Sequence, residues 1–171
     1  VQPVTASGRV WFAAPNRFRW ELGDPPQTIA VRQPDQMLVI YPRLQRAERY
    51  PLTGSQTGPW RDVLALLEAG FPRNRAELVS RFRILAERGT NGVWEVTLQP
   101  KSPAARRLMP SLKVAFATND FTLRATELEL ADGSAMRNEF TNAVSNPKLD
   151  ANLFAPTLAP GTTVVEMDRR P

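Results

Sequence analysis

The sequence predicts a mainly β protein (α+β), built on a curved antiparallel sheet of about ten strands with a few short helices against one face. Three observations lead to this prediction. Short apolar or alternating segments recur between turn dipeptides along most of the chain. Helical periodicity is confined to the middle. Strands and helices do not alternate, so a parallel βαβ sheet is not expected.

Five strands are predicted in the first fifty residues. The clearest is 17–22, where polar and apolar side chains alternate strictly, as in a strand with one face in water. The segment 45–50 is more polar and fits a sheet edge. The remaining strands of this half are 8–14, 28–32 and 37–41.

Helical spacing replaces the strand pattern after Pro59. Apolar residues recur there at i, i+3, i+4, i+7 and i+11, which predicts an amphipathic helix of Trp60, Val63, Leu64, Leu67 and Phe71. Asn74 can cap a second short helix, and Ser102 opens a third that carries Leu108 and Met109.

Strands resume in the second half of the chain. Asn91-Gly92 predicts a tight hairpin between 82–86 and 93–98. The apolar pattern slips in phase between Ala125 and Leu128, which predicts a bulge there. The other expected strands are 112–117, 121–130, 136–143 and 160–166.

The composition argues against catalysis. The 171 residues include no histidine and no cysteine, which removes the usual general base, thiolate nucleophile and zinc ligands. Glu127 and Glu129 share a strand face and could form an acid/base pair, but such a pair is more typical of a solvated face. We therefore expect no enzyme and no cofactor. No apolar run reaches the roughly 20 residues of a membrane span, so we expect a soluble protein.

The net charge of +5, carried mainly by arginine, raises the possibility of nucleic-acid or anionic-lipid binding. However, the arginines are interleaved with acids, and no block of five like charges occurs. This distribution favours a basic solvated surface, and we expect no nucleic-acid partner.

An apolar stripe runs through the first four strands. If the strands align, one concave face would carry Val10, Phe12, Phe18, Trp20, Ile29, Val31, Leu38 and Ile40. Periodicity alone favours ordinary core, packed shut by the 60–71 helix, over a ligand-binding surface.

The residues that carry a family resemblance begin in this stripe. Residues 8–21, GRVWFAAPNRFRWE, are similar to the early strand pair of periplasmic outer-membrane lipoprotein carriers (LolA-like): a glycine, a short apolar strand, Arg-Pro, then Phe-x-Trp. Residues 38–42, LVIYP, and the ending with Phe154, Pro156 and 160–164, PGTTV, resemble later parts of the same family in the same order.

The resemblance implies an incomplete, strongly curved antiparallel β-barrel with a lid of short α-helices over an apolar cavity. Acyl chains of lipoproteins, which move through the periplasm between inner and outer membranes, would occupy that cavity. The eight residues of the stripe would then bind acyl chains, and the lid would comprise Trp60, Val63, Leu64, Leu67, Phe71, Leu108 and Met109. The implied partners are the cargo, an inner-membrane ABC-type release complex and an outer-membrane acceptor lipoprotein. We expect a monomer with one domain over residues 1–171.

Two departures from the family keep alternatives open. Ala14 stands where the family has an arginine that is thought to hold the lid, and no long helix and first strand precede Gly8. The first departure motivates a carrier of the same build for another lipid. A basic nucleic-acid or anionic-membrane module, and a small enzyme using arginine and glutamate, are the remaining hypotheses.

Overall fold

The computed structural model describes residues 3–14, 16–52 and 75–167. The chain divides into two compact units, one comprising Val1–Gln56 with Lys148–Pro171 and the other Thr57–Pro147. Each unit contains one β-sheet. The helix expected over 60–71 lies outside the described residues. The prediction of a single domain over 1–171 stays a prediction.

The first sheet is a five-stranded antiparallel meander extended by one parallel strand near the chain's end. Its strands, in spatial order, are β1 (Gly8–Ala13), β2 (Arg17–Leu22), β3 (Thr28–Arg32), β4 (Gln36–Tyr41), β5 (Arg46–Pro51) and β11 (Thr163–Glu166). A 3₁₀ turn, Pro42–Leu44, joins β4 to β5. Because β11 pairs with β5, β5 is interior, and the expectation that it forms a sheet edge is wrong.

Gly8 shows why the first strand begins with a glycine. A Cβ atom at this position would lie 1.9 Å from the backbone carbonyl oxygen of Glu21. Gly8 faces Leu22 across the β1–β2 pair, so any side chain would push the two strands apart. The absence of a side chain therefore permits the close approach of these backbones.

Directly opposed residues in a sheet share a face, so the register defines both faces of the first sheet. One, the Trp20 face, carries the apolar side chains Val10, Phe12, Phe18, Trp20, Leu22, Ala30, Met37, Val39 and Val165. The other, the Val31 face, carries the apolar side chains Trp11, Ala13, Ile29, Val31, Leu38, Ile40, Ala47 and Val164.

The C-terminal segment packs against the Val31 face. Leu158 contacts the buried cluster of Leu38, Ile40 and Ala47. The Phe154 ring, 4% exposed, lies under the Arg17 guanidinium at 5.2 Å. Backbone oxygens of the 3₁₀ turn Ala151–Phe154 accept hydrogen bonds from Arg19 (3.2 Å) and Gln33 (2.7 Å). The chain thus covers this face with its own residues.

The second sheet is a five-stranded antiparallel meander. Its strands are β6 (Phe82–Thr90), β7 (Val93–Pro100), β8 (Ser111–Ala117), β9 (Leu123–Glu129) and β10 (Ala135–Glu139). The described part of this unit includes two short helices, α1 (Arg75–Arg81) and α2 (Pro103–Leu108). Its core contains Leu78, Phe82, Val96, Leu98, Met109, Leu112, Val114 and Phe116.

Local signals in this unit are largely confirmed. The Asn91-Gly92 turn joins β6 to β7, and both residues have positive φ. The Ser102 Oγ accepts a 3.3 Å hydrogen bond from the Ala105 amide and caps α2. The β8–β9 bulge, however, falls beside Arg124 and not between Ala125 and Leu128 as expected.

The described chain is therefore mainly β, with eleven strands in two sheets and a few short helices. About ten strands were expected, mostly linked by hairpins. Among the strands that the structure describes, the one parallel pair, β5 with β11, joins segments more than a hundred residues apart, a pairing that local pattern cannot reveal.

Candidate functional site

The eight residues predicted to share one apolar face lie on two faces. Val10, Phe12, Phe18 and Trp20 belong to the Trp20 face, whereas Ile29, Val31, Leu38 and Ile40 belong to the Val31 face. The error arises at one place, the turn between β2 and β3, where Trp20 pairs with Ala30. A shift of one residue in register exchanges the faces of every later strand. The expectation of one continuous face is therefore wrong, and the acyl-binding role of each residue stays a prediction.

Apolar side chains form cross-strand rows on the Trp20 face. One row runs through Val10, Trp20, Ala30 and Val39, and the next contains Phe12, Phe18 and Met37. Phe18, Met37 and Val39 are buried at 5%, 4% and 8% exposure, while Val10, Phe12 and Trp20 are only half-buried. The face therefore combines a packed base with aromatic and aliphatic surface near β1.

Arg32 interrupts the second row between Phe18 and Met37. Its Nη1 donates a 2.6 Å hydrogen bond to the Asn16 carbonyl oxygen, in the turn between β1 and β2. This hydrogen bond ties β3 to that turn.

Polar side chains occupy the β5 end of the Trp20 face. Glu48 pairs directly with Val39, and its side chain is only 14% exposed. Its carboxylate accepts a 2.8 Å hydrogen bond from the Tyr50 hydroxyl and lies 2.9 Å from Arg46 Nη2. Burial raises the pKa of Tyr50 to about 12, and the hydrogen bond to Glu48 contributes to this rise. Burial and the Glu48 charge also raise the pKa of Tyr41.

The sequence analysis did not predict the polar side chains of Tyr41, Arg46, Glu48 and Tyr50 on this face. It also missed Ala30, Met37 and Val39. The pattern of β4 explains the omission, because Met37, Leu38, Val39 and Ile40 are all buried. A continuous apolar run has no alternation from which its face can be assigned. The alternating Arg46, Glu48 and Tyr50 of β5 were the available signal, since they share one strand face.

Only two of the seven predicted lid residues, Leu108 and Met109, lie in the part of the chain that the structure describes. Trp60, Val63, Leu64, Leu67 and Phe71 lie outside the described residues. Leu108 is the last residue of α2, and Met109 follows it. Met109 is 1% exposed and packs in the core of the second unit. A role of these positions in a lid stays a prediction.

The pair Glu127 and Glu129 lies on a polar sheet face. Glu127 bonds to Lys113 at 2.8 Å and to Arg137 at 3.2 Å, and the hydrogen bond from Lys113 lowers the pKa of its carboxyl. Glu129 accepts a 2.8 Å hydrogen bond from Ser111. A carboxylate held ionised by two cations is a poor general acid, so this pair fits a solvated face.

The described stretches, 3–52 without Pro15 and 75–167, contain no group of three or more acidic side chains placed to hold a metal ion. They also contain no helix long and apolar enough to cross a membrane.

Fold and site together define a mainly β protein with an apolar sheet face that ends in a cluster of hydrogen-bonding side chains. Comparison with known proteins then identifies its family. Residues 1–157 match the model of the family "Outer membrane lipoprotein carrier protein LolA". The chain belongs to the LolA family, a family of carriers and not of enzymes.

Individual relatives are distant. The chain is 26% identical over 160 residues to an outer-membrane lipoprotein carrier protein of Chromohalobacter salexigens, covering 94% of this chain and 70% of that protein. An uncharacterized conserved protein of Thermus thermophilus shares the fold, with a TM-score of 0.55, 10% identity and coverage of 94% and 82%. A putative outer membrane lipoprotein-sorting protein domain of Vibrio parahaemolyticus has a TM-score of 0.40 and 14% identity over 81% and 63% of the two chains, a likeness too remote to bear on the fold.

Proposed function

We propose that this protein is a periplasmic carrier that binds the acyl chains of lipoproteins on the Trp20 face and moves them from the inner to the outer membrane. The observation that carries the proposal is the half-buried state of Val10, Phe12 and Trp20 beside the buried apolar side chains of Phe18, Met37 and Val39 on the same face. Membership in the LolA family supports the cargo class.

The energetics of transfer explain why such a face is needed. Each methylene group gains about 0.8 kcal/mol when it leaves water, so a lipoprotein's acyl chains cannot cross an aqueous space unshielded. Transfer needs no catalytic residue, because the relative affinities of donor, carrier and acceptor set its direction.

Of the two faces of the first sheet, the Trp20 face is the better candidate. Leu158 and Phe154 of the chain itself already pack against the Val31 face. Val31 is 0% exposed, which leaves no surface at that position for a ligand. The acyl-binding assignment is therefore kept for the half-buried Val10, Phe12 and Trp20, and Phe18, Ala30, Met37 and Val39 form the base of the same face beneath the ligand.

Three further elements of the proposal come from the family. The sheet would form part of an incomplete, curved barrel, and short helices, among them residues 60–71, would cover its apolar hollow. An inner-membrane ABC-type complex would load the carrier, and an outer-membrane acceptor lipoprotein would unload it. A lid of this kind must open for ligand entry, so its packing should be weaker than that of the sheets.

A titration tests the function directly. The protein is titrated with a fluorescent polarity probe, and a triacylated lipopeptide is then added as competitor. We expect saturable probe binding that the lipopeptide displaces. A folded sample, checked by far-UV circular dichroism, that binds no probe would mean that the Trp20 face is closed core, and the proposal would fail.

Ala14 motivates a second candidate, a carrier of the same build for a different lipid. The residue is exposed in the turn after β1, where the family has an arginine. Lipid extracted from the protein purified from its native source would distinguish the two by mass spectrometry. Triacylated peptide in the extract supports lipoprotein cargo, whereas another lipid in stoichiometric amount supports the second candidate.

A further inference from the structure

One carboxylate lies among the apolar side chains of the Trp20 face. The register places Glu48 in the row that contains Val10, Trp20, Ala30 and Val39, between Val39 of β4 and Val165 of β11. Removing a carboxylate from water costs free energy unless charged or hydrogen-bonding partners replace the lost hydration. A carboxylate with 14% exposure at this position therefore requires an explanation beyond an ordinary solvated surface.

The partners of Glu48 fix its position and that of Arg46. Both tyrosines of the chain surround this carboxylate: Tyr50 donates to Oε2, and the charge of Glu48 acts on Tyr41. Phenols are protonated at neutral pH, and burial raises the pKa of both tyrosines further, so both remain hydrogen-bond donors. Arg46 Nη2 approaches the other oxygen, Oε1, at 2.9 Å. The cluster thus holds one guanidinium beside the apolar row.

Arg46 retains donors after pairing with Glu48. A guanidinium carries five N–H groups, and one carboxylate oxygen engages only part of them. The Arg46 side chain is 46% exposed, so a ligand can reach it. Because Arg46 and Glu48 neutralise each other, the pair suits a neutral acceptor such as a carbonyl oxygen better than a phosphate or a free carboxylate.

We infer that Arg46, positioned by Glu48, binds the carbonyl oxygen of an acyl ester linkage beside the apolar row of the Trp20 face. This inference rests on the proposed carrier function. From β1 to β5 the row spans four strand spacings, roughly 19 Å, comparable to an extended long-chain acyl group. A chain lying along the row towards Val10 would leave its linkage beside Arg46.

The test compares two ligands that differ only in their linkage. A lipopeptide with ester-linked chains and its ether-linked analogue, of equal chain length, compete against a fluorescent polarity probe. The ether lacks the carbonyl oxygens. We expect the wild-type protein to bind the ester form roughly threefold to tenfold more tightly, the contribution of one hydrogen bond.

Two variants test whether Arg46 and Glu48 cause the tighter binding of the ester-linked lipopeptide. Arg46→Gln should abolish this preference for the ester. Glu48→Gln should reduce the preference, because the Arg46 guanidinium would no longer be held in position. Arg49→Gln is the matched control, because Arg49 lies on the same strand, faces the opposite side, is 40% exposed and pairs with Glu166 at 2.6 Å. It should keep the full preference. Far-UV circular dichroism verifies that each variant is folded.

The possible failures are distinguishable. Equal binding of ester and ether by the wild-type protein overturns this inference and leaves the carrier function standing. An equal loss for both ligands in Arg46→Gln also overturns it, since the arginine would then only support the sheet. A folded wild-type protein that binds neither ligand overturns the carrier function and this inference with it.

Discussion

Two tryptophans on opposite faces of one hairpin allow the proposed binding face to be tested. Trp20 lies in β2 on the Trp20 face, and Trp11 lies in β1 on the Val31 face, where it is opposed to Arg19. Both side chains are half-buried. The same substitution, tryptophan to glutamate, can therefore be made on either face with a similar change in size and charge.

Trp20→Glu should weaken acyl binding strongly. The substitution places a carboxylate in the row of Val10, Ala30 and Val39, where an acyl chain would lie. If about three methylenes lose their contact with the ring, at about 0.8 kcal/mol each, the loss is about 2.4 kcal/mol, or a roughly 60-fold higher Kd. Trp11→Glu should leave Kd within about threefold of the wild-type value, because its carboxylate faces Arg19 on the other side of the sheet.

The assay is the titration with a fluorescent polarity probe, with urea unfolding of each variant as the control for stability. Equal Kd values for the two variants would refute the assignment of the binding face. Unfolding of Trp20→Glu under conditions where Trp11→Glu is folded would show that Trp20 belongs to closed core. Weaker binding by Trp11→Glu alone would transfer the site to the Val31 face.

Three further predictions concern stability. Gly8→Ala should lower the free energy of unfolding by about 1–3 kcal/mol in urea titrations, because its Cβ would lie 1.9 Å from a carbonyl oxygen; an unchanged midpoint would contradict this contact. Phe154→Ala should cost about 3–5 kcal/mol, whereas Phe121→Ala, at a ring 73% exposed, should cost less than about 0.5 kcal/mol. Similar losses for both would contradict the packing of the C-terminal segment. The hydrogen bond from Lys113 lowers the pKa of Glu127 in the folded protein. The stabilisation of the fold by the ionised Glu127 is therefore fully present above the unfolded pKa of about 4.3 and is lost as pH falls through the folded pKa. The difference in urea midpoint between wild type and Glu127→Gln should therefore shrink below about pH 4. A difference that grows there would contradict the lowered pKa of Glu127.

Local signals predicted the strands well, because the physical causes lie within a few residues. Strict alternation in β2 and the Asn91-Gly92 turn determine their elements without distant help. Predicting which face of the sheet each side chain occupies required information from residues farther away in the chain. Alternation assigns the faces of β2, but the phase of β3 depends on the turn that joins them, and β4 is apolar on both sides.

The C-terminal segment is the reason that β4 is apolar on both sides. Leu158 packs against the Val31 face and thereby makes Leu38 and Ile40 core residues, as buried as Met37 and Val39 on the opposite face. No local pattern connects residues 38 and 158. Both sides of the strand consequently resemble a binding stripe in the sequence, and only the register separates core from candidate site.

The same segment contributes to the polar end of the Trp20 face. After covering the Val31 face, the chain forms β11, which pairs with β5 in parallel and places Val165 opposite Glu48. Val39 and Val165, an apolar neighbour on each side, limit the exposure of the Glu48 side chain to 14%, while the Arg46 side chain stays 46% exposed. A fully solvated carboxylate would hold the guanidinium more loosely, because ion pairs between two exposed side chains contribute little free energy. The C-terminal strand thus links stability on one face of the sheet to the rigidity that the proposed carbonyl subsite needs on the other.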